Sequence, residues 1–294
     1  MRGGRYGAHS IARDASRVLS KRDQREIELN LGREPADAIA HAFVEARQAG
    51  TALPDYPGEL PVTLDQAYGI QERAITMFGG RIAGWKVGRI ADPLVSRFGT
   101  NRLTGPIFAD SVIDSPDGAP DMPIFADGFG AAEAEFLLRI GSLPASFDRN
   151  WTNAEAAEFV DAIHVGIEVA SSPFPGINDH GPAITVSDFG NNNGLVVGAA
   201  VPPNVDFLDW QVALTIDGEV AGTGAAGEML DGPFGSVRFL FELAASRHLP
   251  LAPGQWISTG AVTGVHEVRP GALVEARFGH DMRVRCRIGG NRRD

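Results

Sequence analysis

Apolar residues recur at helical spacing between Glu34 and Gly50, with Ile39, Phe43 and Ala46 on one face, Pro35 in the first turn and Gly50 as a stop. This pattern predicts a first helix. Thr63-Leu64-Asp65-Gln66 has the form of a capping box, and Gly79-Gly80 closes the run, so a second helix is expected over about 64–78. From about 81 to 130 the pattern breaks into short apolar pieces separated by Gly, Pro, Asp and Asn, which suits strands and tight turns. Ala134 to Ile140 reads as a strand. Thr152-Asn153-Ala154-Glu155 is a second capping box that opens a helix to about His164, and Val165 to Ala170 reads as the next strand. A polar loop follows at 171–193. Strands are then expected at Leu195–Val201 and Trp210–Ile216, a hairpin turn at Asp217-Gly218, a helix over about 234–247, and strands near 256–259, 272–278 and 282–288.

The 294 residues are 44% apolar and 21% charged, enough to bury a sizeable core, which excludes a disordered or fibrous chain. Lys and Arg number 26 against 37 Asp and Glu, and the net charge of −11 argues against nucleic acid as a partner. One cysteine, Cys286, permits neither an internal disulfide nor a cysteine-based zinc site, which points to a reducing, cytoplasmic setting. No apolar run approaches the ~20 residues that cross a bilayer. The basic first thirty residues imitate a transit peptide or form a frayed tail, and no secretory signal is visible in them.

Glu133 and Glu135 flank Ala134 at the mouth of the strand Phe136-Leu137-Leu138, and the period-2 geometry of a strand turns both carboxylates to one side. Such a pair is either solvated at a sheet edge or compensated by a cation. Glu168, between Ile167 and Val169, lies on the face opposite those apolar neighbours and could join the pair or remain a surface acid. Three carboxylates would make an oxygen-rich site suited to Mg²⁺ or Mn²⁺. Lys86 sits in Gly84-Trp85-Lys86-Val87-Gly88, where burial calls for a nearby anion unless the side chain reaches solvent. Gly222-Thr223-Gly224-Ala225-Ala226-Gly227 matches the dinucleotide-binding glycine pattern, but it leaves a Asp217-Gly218 hairpin and so follows an antiparallel strand, the wrong context. It is expected to be a glycine-rich turn before the 234–247 helix. Asp188 to Gly194 is an amide- and glycine-rich loop able to offer donors to an anion.

In order and spacing, Asp65-Gln66-Ala67-Tyr68-Gly69-Ile70-Gln71, Gly84-Trp85-Lys86-Val87-Gly88, Gly105-Pro106-Ile107-Phe108, Glu133-Ala134-Glu135, Gly166-Ile167-Glu168-Val169 and Trp256-Ile257-Ser258-Thr259-Gly260 are distinctive. Together they resemble the 2-keto-4-pentenoate hydratase and 4-oxalocrotonate decarboxylase branch of the fumarylacetoacetate hydrolase superfamily. The resemblance implies an α+β fold of the fumarylacetoacetase C-terminal type, a rolled mixed sheet with helices around it. It also implies a tail over 1–33, a helical region over 34–80 and a metal-binding catalytic domain over 81–290. Glu133, Glu135 and Glu168 would be metal ligands for Mg²⁺ or Mn²⁺ and Lys86 the catalytic lysine. Asp188, Gly190, Asn191, Thr259 and Gly260 would bind a small 2-oxo acid, in a homo-oligomer. The implied reaction is hydration of a 2-hydroxypenta-2,4-dienoate-like substrate. Decarboxylation of a 2-oxo-enedioate, C–C hydrolysis, or a catalytically silent acid-binding protein are the alternatives. Two departures bear on this choice: Arg102-Leu103-Thr104 stands where such hydratases carry an acid, and Asp188-Phe189-Gly190-Asn191 replaces their Asp-Asn-Ala-Ser loop.

Overall fold

The alternation of small and large apolar residues with carboxylates in the middle of the chain dictates a sheet with one greasy and one charged face, and such a sheet is what forms. The computed structural model describes residues 33–115, 117–203 and 205–290. The expected tail over 1–33 lies, apart from Arg33, outside the described residues.

The elements run α1 (Arg33–Ala49), α2 (Leu64–Phe78), β1 (Ile82–Arg89), α3 (Leu94–Phe98), β2 (Arg102–Phe108), β3 (Val112–Asp114), β4 (Asp121–Pro123), β5 (Phe129–Ile140), α4 (Asn153–Ala157), β6 (Val160–Ser172), α5 (Pro182–Ser187), β7 (Asn192–Ala200), β8 (Gln211–Ile216), β9 (Glu219–Ala225), α6 (Phe234–Arg247), β10 (Trp256–Ser258), β11 (His266–Glu267), β12 (Leu273–Phe278) and β13 (Met282–Gly289). The strands form two sheets. The larger has the order β2-β1-β10-β5-β6-β7-β3 with β11 on β5, and the smaller the order β4-β13-β12-β8-β9. Parallel pairs (β1 with β10, β3 with β7) and antiparallel pairs (β5 with β6) occur in the same sheet, the mixed α+β arrangement expected.

The two sheets enclose the main core. Ala132, Ala134 and Phe136 of β5 and Val165, Ile167 and Val169 of β6 pack there against Val212, Leu214, Val274, Ala276, Phe278, Val284 and Cys286. Because strand side chains alternate, the residues between them, Glu133, Glu135 and Glu168, must face the other way. Cys286 is fully buried in this core, and burial pushes its thiol up to about 12.

Three expectations change. The helix opened by Thr152 stops at Ala157, and β6 already begins at Val160, because Ile163, Val165, Ile167 and Val169 continue one apolar face at period 2. The capping box itself is complete: the Thr152 hydroxyl accepts from Glu155 N and a Glu155 oxygen accepts from Thr152 N. At α2, by contrast, Thr63 accepts from Gln66 N while the Gln66 side chain accepts from Val62 N. The polar loop at 171–193 contains α5 and a single 3₁₀ turn (Phe189–Asn191), and its residues from Pro182 to Asn192 are buried. Its polar side chains can be buried because each finds an internal partner: the Thr185 and Ser187 hydroxyls donate to Ile177 O and Ile184 O, Asp188 accepts from Arg47, Asn191 accepts from Lys86, and Asn192 donates to Glu168.

The glycine pattern at 222–227 lies mostly within β9, an antiparallel edge strand rather than a turn. Its glycines are required for close approach. A Cβ at Gly222 would sit 2.5 Å from Thr263 O, and one at Gly224 would sit 2.2 Å from Val262 O, so the strand admits the 260–265 segment against its backbone. Among the described residues no helix is long and apolar enough to cross a membrane.

Candidate metal centre

Register brings the acids together. On the β5–β6 ladder Glu133 lies directly opposite Glu168, and Glu135 lies opposite Gly166, whose missing side chain admits Leu137 (a Cβ there would sit 2.3 Å from Leu137 Cδ1). One carboxylate oxygen from each of Glu133, Glu135 and Glu168 lies within 4.8 Å of the other two. Glu135 and Glu168 are 0% exposed and Glu133 4%, so solvation at a sheet edge is ruled out as their compensation.

Lys86 reaches the same face from β1, one strand beyond β10, with Trp85 and Val87 turned into the core on the other side. Its Nζ lies 3.3 Å from Glu168 Oε1 and donates to Asn191 Oδ1 at 3.0 Å. Burial works against the ammonium, but the three carboxylates outweigh it, and the lysine is held above its ordinary range. One ammonium cannot balance three carboxylates. Burial, only partly offset by Lys86, pushes Glu133 up to about 7, and burial together with its two acidic neighbours drives Glu135 well above the usual carboxylate range.

The remaining hydrogen bonds position the trio without satisfying it. Glu135 Oε2 accepts from the Ser258 hydroxyl and from Gly260 N at 3.1 Å. Glu168 Oε1 accepts from Asn192 Nδ2 at 2.9 Å. Glu135 Oε1, fully buried, has no partner. A buried carboxylate oxygen without a donor costs on the order of several kcal/mol unless a cation completes it. Three hard oxygen donors with an uncompensated negative charge fit a divalent ion such as Mg²⁺ or Mn²⁺, and among the described residues no histidine joins the cluster. Of the trio, Glu133 borders a cavity of about 750 Å³, lined among others by Lys86, Asn191, Thr259 and Gly260.

No family model matches the chain. It is 25% identical over 264 residues to a 2-keto-4-pentenoate hydratase of Paraburkholderia xenovorans (strain LB400), covering 87% of this chain and 95% of the relative. The structure of 4-oxalocrotonate decarboxylase from Pseudomonas putida G7, complexed with magnesium and adipate, superposes with a TM-score of 0.73 at 22% identity over 87% of this chain and 98% of that one. Fumarylpyruvate hydrolase from Pseudomonas aeruginosa, in complex with Mn²⁺ and pyruvate, superposes with a TM-score of 0.53 at 16% identity over 72% and 91%. The fold is that of the fumarylacetoacetate hydrolase superfamily. The resemblance to its hydratase and decarboxylase branch, carried by motifs spread from Asp65 to Gly260, holds over nearly the whole length of these relatives.

Within this superfamily fold the predicted substrate-binding residues separate into two groups. Asn191, Thr259 and Gly260 line the cavity; Asp188 and Gly190 do not. Asp188 is 0% exposed, and its carboxylate accepts from Arg47 Nη2 at 2.9 Å, from Arg47 Nε and from the Ser172 hydroxyl at 2.6 Å. It is saturated, and it anchors the loop rather than facing a ligand. Gly190 packs under the lysine: a Cβ there would lie 3.2 Å from both Lys86 Cδ and Gly105 Cα. Phe189, Gly190 and Asn191 all hold positive φ (54°, 62° and 58°), a left-handed run that non-glycine residues adopt only when fixed by their surroundings. Gly105 allows it, since a Cβ at 105 would fall 2.0 Å from Phe189 O. The Tyr68-to-Gln71 stretch of the α2 motif pins both sides: Thr104 N donates to the Tyr68 hydroxyl, and Gln71 Nε2 donates to Thr104 O and Val186 O.

Two cavity residues carry buried polar atoms that sequence reasoning does not place in the site, Arg102 and Thr263. An arginine at the head of a seven-residue strand that is buried throughout is a signal for the first. Nothing local marks the second.

Proposed function

We propose that this chain is a divalent-metal-dependent lyase acting on a small 2-oxo acid. Its reaction would be hydration of a 2-hydroxypenta-2,4-dienoate-like substrate to a 4-hydroxy-2-oxo acid. The observation that carries this reading is the closed trio of carboxylates with an unpartnered oxygen beside a buried lysine, with Glu133 and that lysine on the wall of a cavity of small-molecule size.

Glu133, Glu135 and Glu168 would hold Mg²⁺ or Mn²⁺. A bound ion of this kind supplies Lewis acidity that stabilises negative charge on the 2-oxo or enolate oxygen. The protein's own contribution is proton placement and orientation. Lys86 Nζ, kept protonated and aimed by Asn191 Oδ1, is the proton donor to the carbon skeleton when the dienol ketonises, and water then adds at the far carbon of the resulting enone. Ser258 and the Gly260 amide fix Glu135, and Asn192 fixes Glu168, so the oxygen donors are set before substrate arrives. Burial under the 189–191 turn limits competing water at the lysine.

Decarboxylation or C–C hydrolysis on the same platform is the second reading, favoured by one observation. Leu103, an apolar residue, lies against Gly88 on the lysine's side of β1–β2, where a water-activating acid would be useful to a hydratase. With Mg²⁺ present, the two are separated by following dienol absorbance and CO₂ release in parallel. Loss of dienol with a hydrated product supports hydration, and CO₂ without hydrated product overturns it in favour of the second reading. A protein that takes up Mg²⁺ yet turns over neither substrate class would be a silent acid-binding relative.

A further inference from the structure

The 189–193 segment borders two cavities that share no lining residue. Asn191 faces the one beside Lys86, while Phe189, Asn192 and Asn193 border a second, of about 310 Å³. Most of the second wall is apolar and recessed: Phe108, Met122, Ile124, Phe125 and Phe189 line it and are buried. Phe78, Phe108 and Phe189 pack on one another there, with ring centroids 4.4 Å (78 to 108), 5.6 Å (78 to 189) and 5.0 Å (108 to 189) apart.

The polar groups on this wall decide what charge it accepts. Arg47 is the only cation among the described lining residues, and its five N–H groups are committed. Nε donates to Asp188 Oδ1, Nη1 to Asn192 O and Asn193 Oδ1, both at 3.2 Å, and Nη2 to Ser171 O at 3.1 Å and Asp188 Oδ2 at 2.9 Å. Its plane rests over the rings of Phe189 and Phe125, 5.1 Å and 5.8 Å from their centroids. The Ser111 hydroxyl is given to Phe108 O and Asn193 Nδ2 to Pro123 O. Asp110, the other charged lining residue, is itself an acid. An anion entering here would be buried without a donor, whereas an uncharged aromatic molecule would meet rings. None of the exposed large apolar side chains among the described residues lines the cavity, so it lacks the apolar apron that a protein partner covers. A cavity of about 150 Å³ holds benzene, so this one admits a single substituted ring.

The segment also ties this cavity to the carboxylates. Asn192 Nδ2 donates to Glu168 Oε1 at 2.9 Å, and Asn191 Oδ1 accepts from Lys86 Nζ at 3.0 Å. The left-handed backbone from Phe189 to Asn191 is held by what packs around it, and Phe189 is part of that packing.

We propose that this second cavity binds an uncharged, single-ring aromatic molecule, and that its occupancy is felt at Glu168 through Phe189 and Asn192. The site stands on its own geometry; the coupling rests on the metal-site reading above.

Calorimetric titration of toluene and of benzoate into the full chain in EDTA tests the site. Toluene is expected to bind saturably, one per chain, and benzoate at least roughly tenfold more weakly. Ile113, which lines the cavity outside the trio's machinery, supplies two variants. Ile113→Phe fills the space and should weaken toluene roughly tenfold or more. Ile113→Ala widens it and should favour n-butylbenzene over toluene, a reversal that a merely destabilised chain would not show. With saturating toluene, Mg²⁺ should bind roughly 5-fold tighter, because a filled cavity holds Asn192 on Glu168, and Mg²⁺ should tighten toluene by the same factor. No saturable toluene binding, or benzoate as tight as toluene, would overturn the site. Toluene binding that fades as protein concentration rises, with a larger sedimenting species, would give the cavity to a second copy and overturn it too. Saturable binding that leaves Mg²⁺ affinity unmoved would overturn the coupling alone. Failure of Mg²⁺ to bind under any condition would overturn the metal-site reading and leave the aromatic site standing.

Discussion

Two buried acid sites, one on the larger sheet and one in the connection between α5 and β7, are built on opposite rules. Asp188 has a guanidinium of its own and a serine hydroxyl on a carboxylate with no solvent exposure. The Glu133, Glu135 and Glu168 trio shares one lysine, and an oxygen of Glu135 has nothing to accept from. A saturated acid holds backbone in place; an under-compensated one waits for a charge from outside. The contrast separates scaffold from chemistry among residues that look alike in a burial profile.

The sharpest way to break this comparison is to neutralise one acid of each kind. Glu135→Gln removes a proposed metal ligand and should lower kcat/KM by roughly a hundredfold or more and weaken Mg²⁺ binding in parallel. In the metal-free protein the same change should raise the melting temperature, because it relieves repulsion among buried like charges. On the Asp188 side the sign reverses. Arg47→Met strands a buried carboxylate and should cost roughly 3–5 kcal/mol in urea unfolding. If both variants shifted stability in the same direction, the distinction between the two sites would fall.

Titration sharpens it further. Glu133 is pushed up to about 7 from an ordinary value of 4.5, so between those limits the folded metal-free chain binds more protons than the unfolded one. Stability in EDTA should therefore fall as pH rises through that window, while Mg²⁺ affinity rises as the carboxylate ionises. Melting curves with EDTA and with Mg²⁺ at several pH values should diverge upward in pH. Parallel curves would show that the trio neither holds a proton nor exchanges it for a cation. The smallest effect belongs to a carboxylate that is satisfied yet exposed. Glu155 is held down to about 2 by the Thr152 N–H and hydroxyl and by Arg149, and Thr152→Ala should cost about 1 kcal/mol of stability with activity unchanged.

Much of this was legible because strands obey a period of two. Glu133 and Glu135 could be put on one face, and Glu168 on the charged face of its own strand, from spacing alone. That Glu168 lies opposite Glu133 depends on β5–β6 register, which no local pattern states. The pairing of Asp188 was illegible for a related reason: its partner, Arg47, comes from α1, 141 residues earlier, and nothing near Asp188 announces a countercharge. The helix expected to run to His164 failed because a strong capping box says where a helix starts and nothing about where it stops. The glycines at 222 and 224 carried a real constraint, close backbone approach, but the partner was the 260–265 segment and not a pyrophosphate. Thr263 was invisible, since an unsatisfied hydroxyl exists only in three dimensions.

The single thiol offers a practical handle of another sort. Cys286 is sealed between the sheets, where burial pushes its thiol up to about 12, so an alkylating reagent cannot reach a reactive thiolate while the core is intact. Its modification rate is thus a clock for opening of the inter-sheet core. Mass-spectrometric thiol trapping could time that opening without an added label.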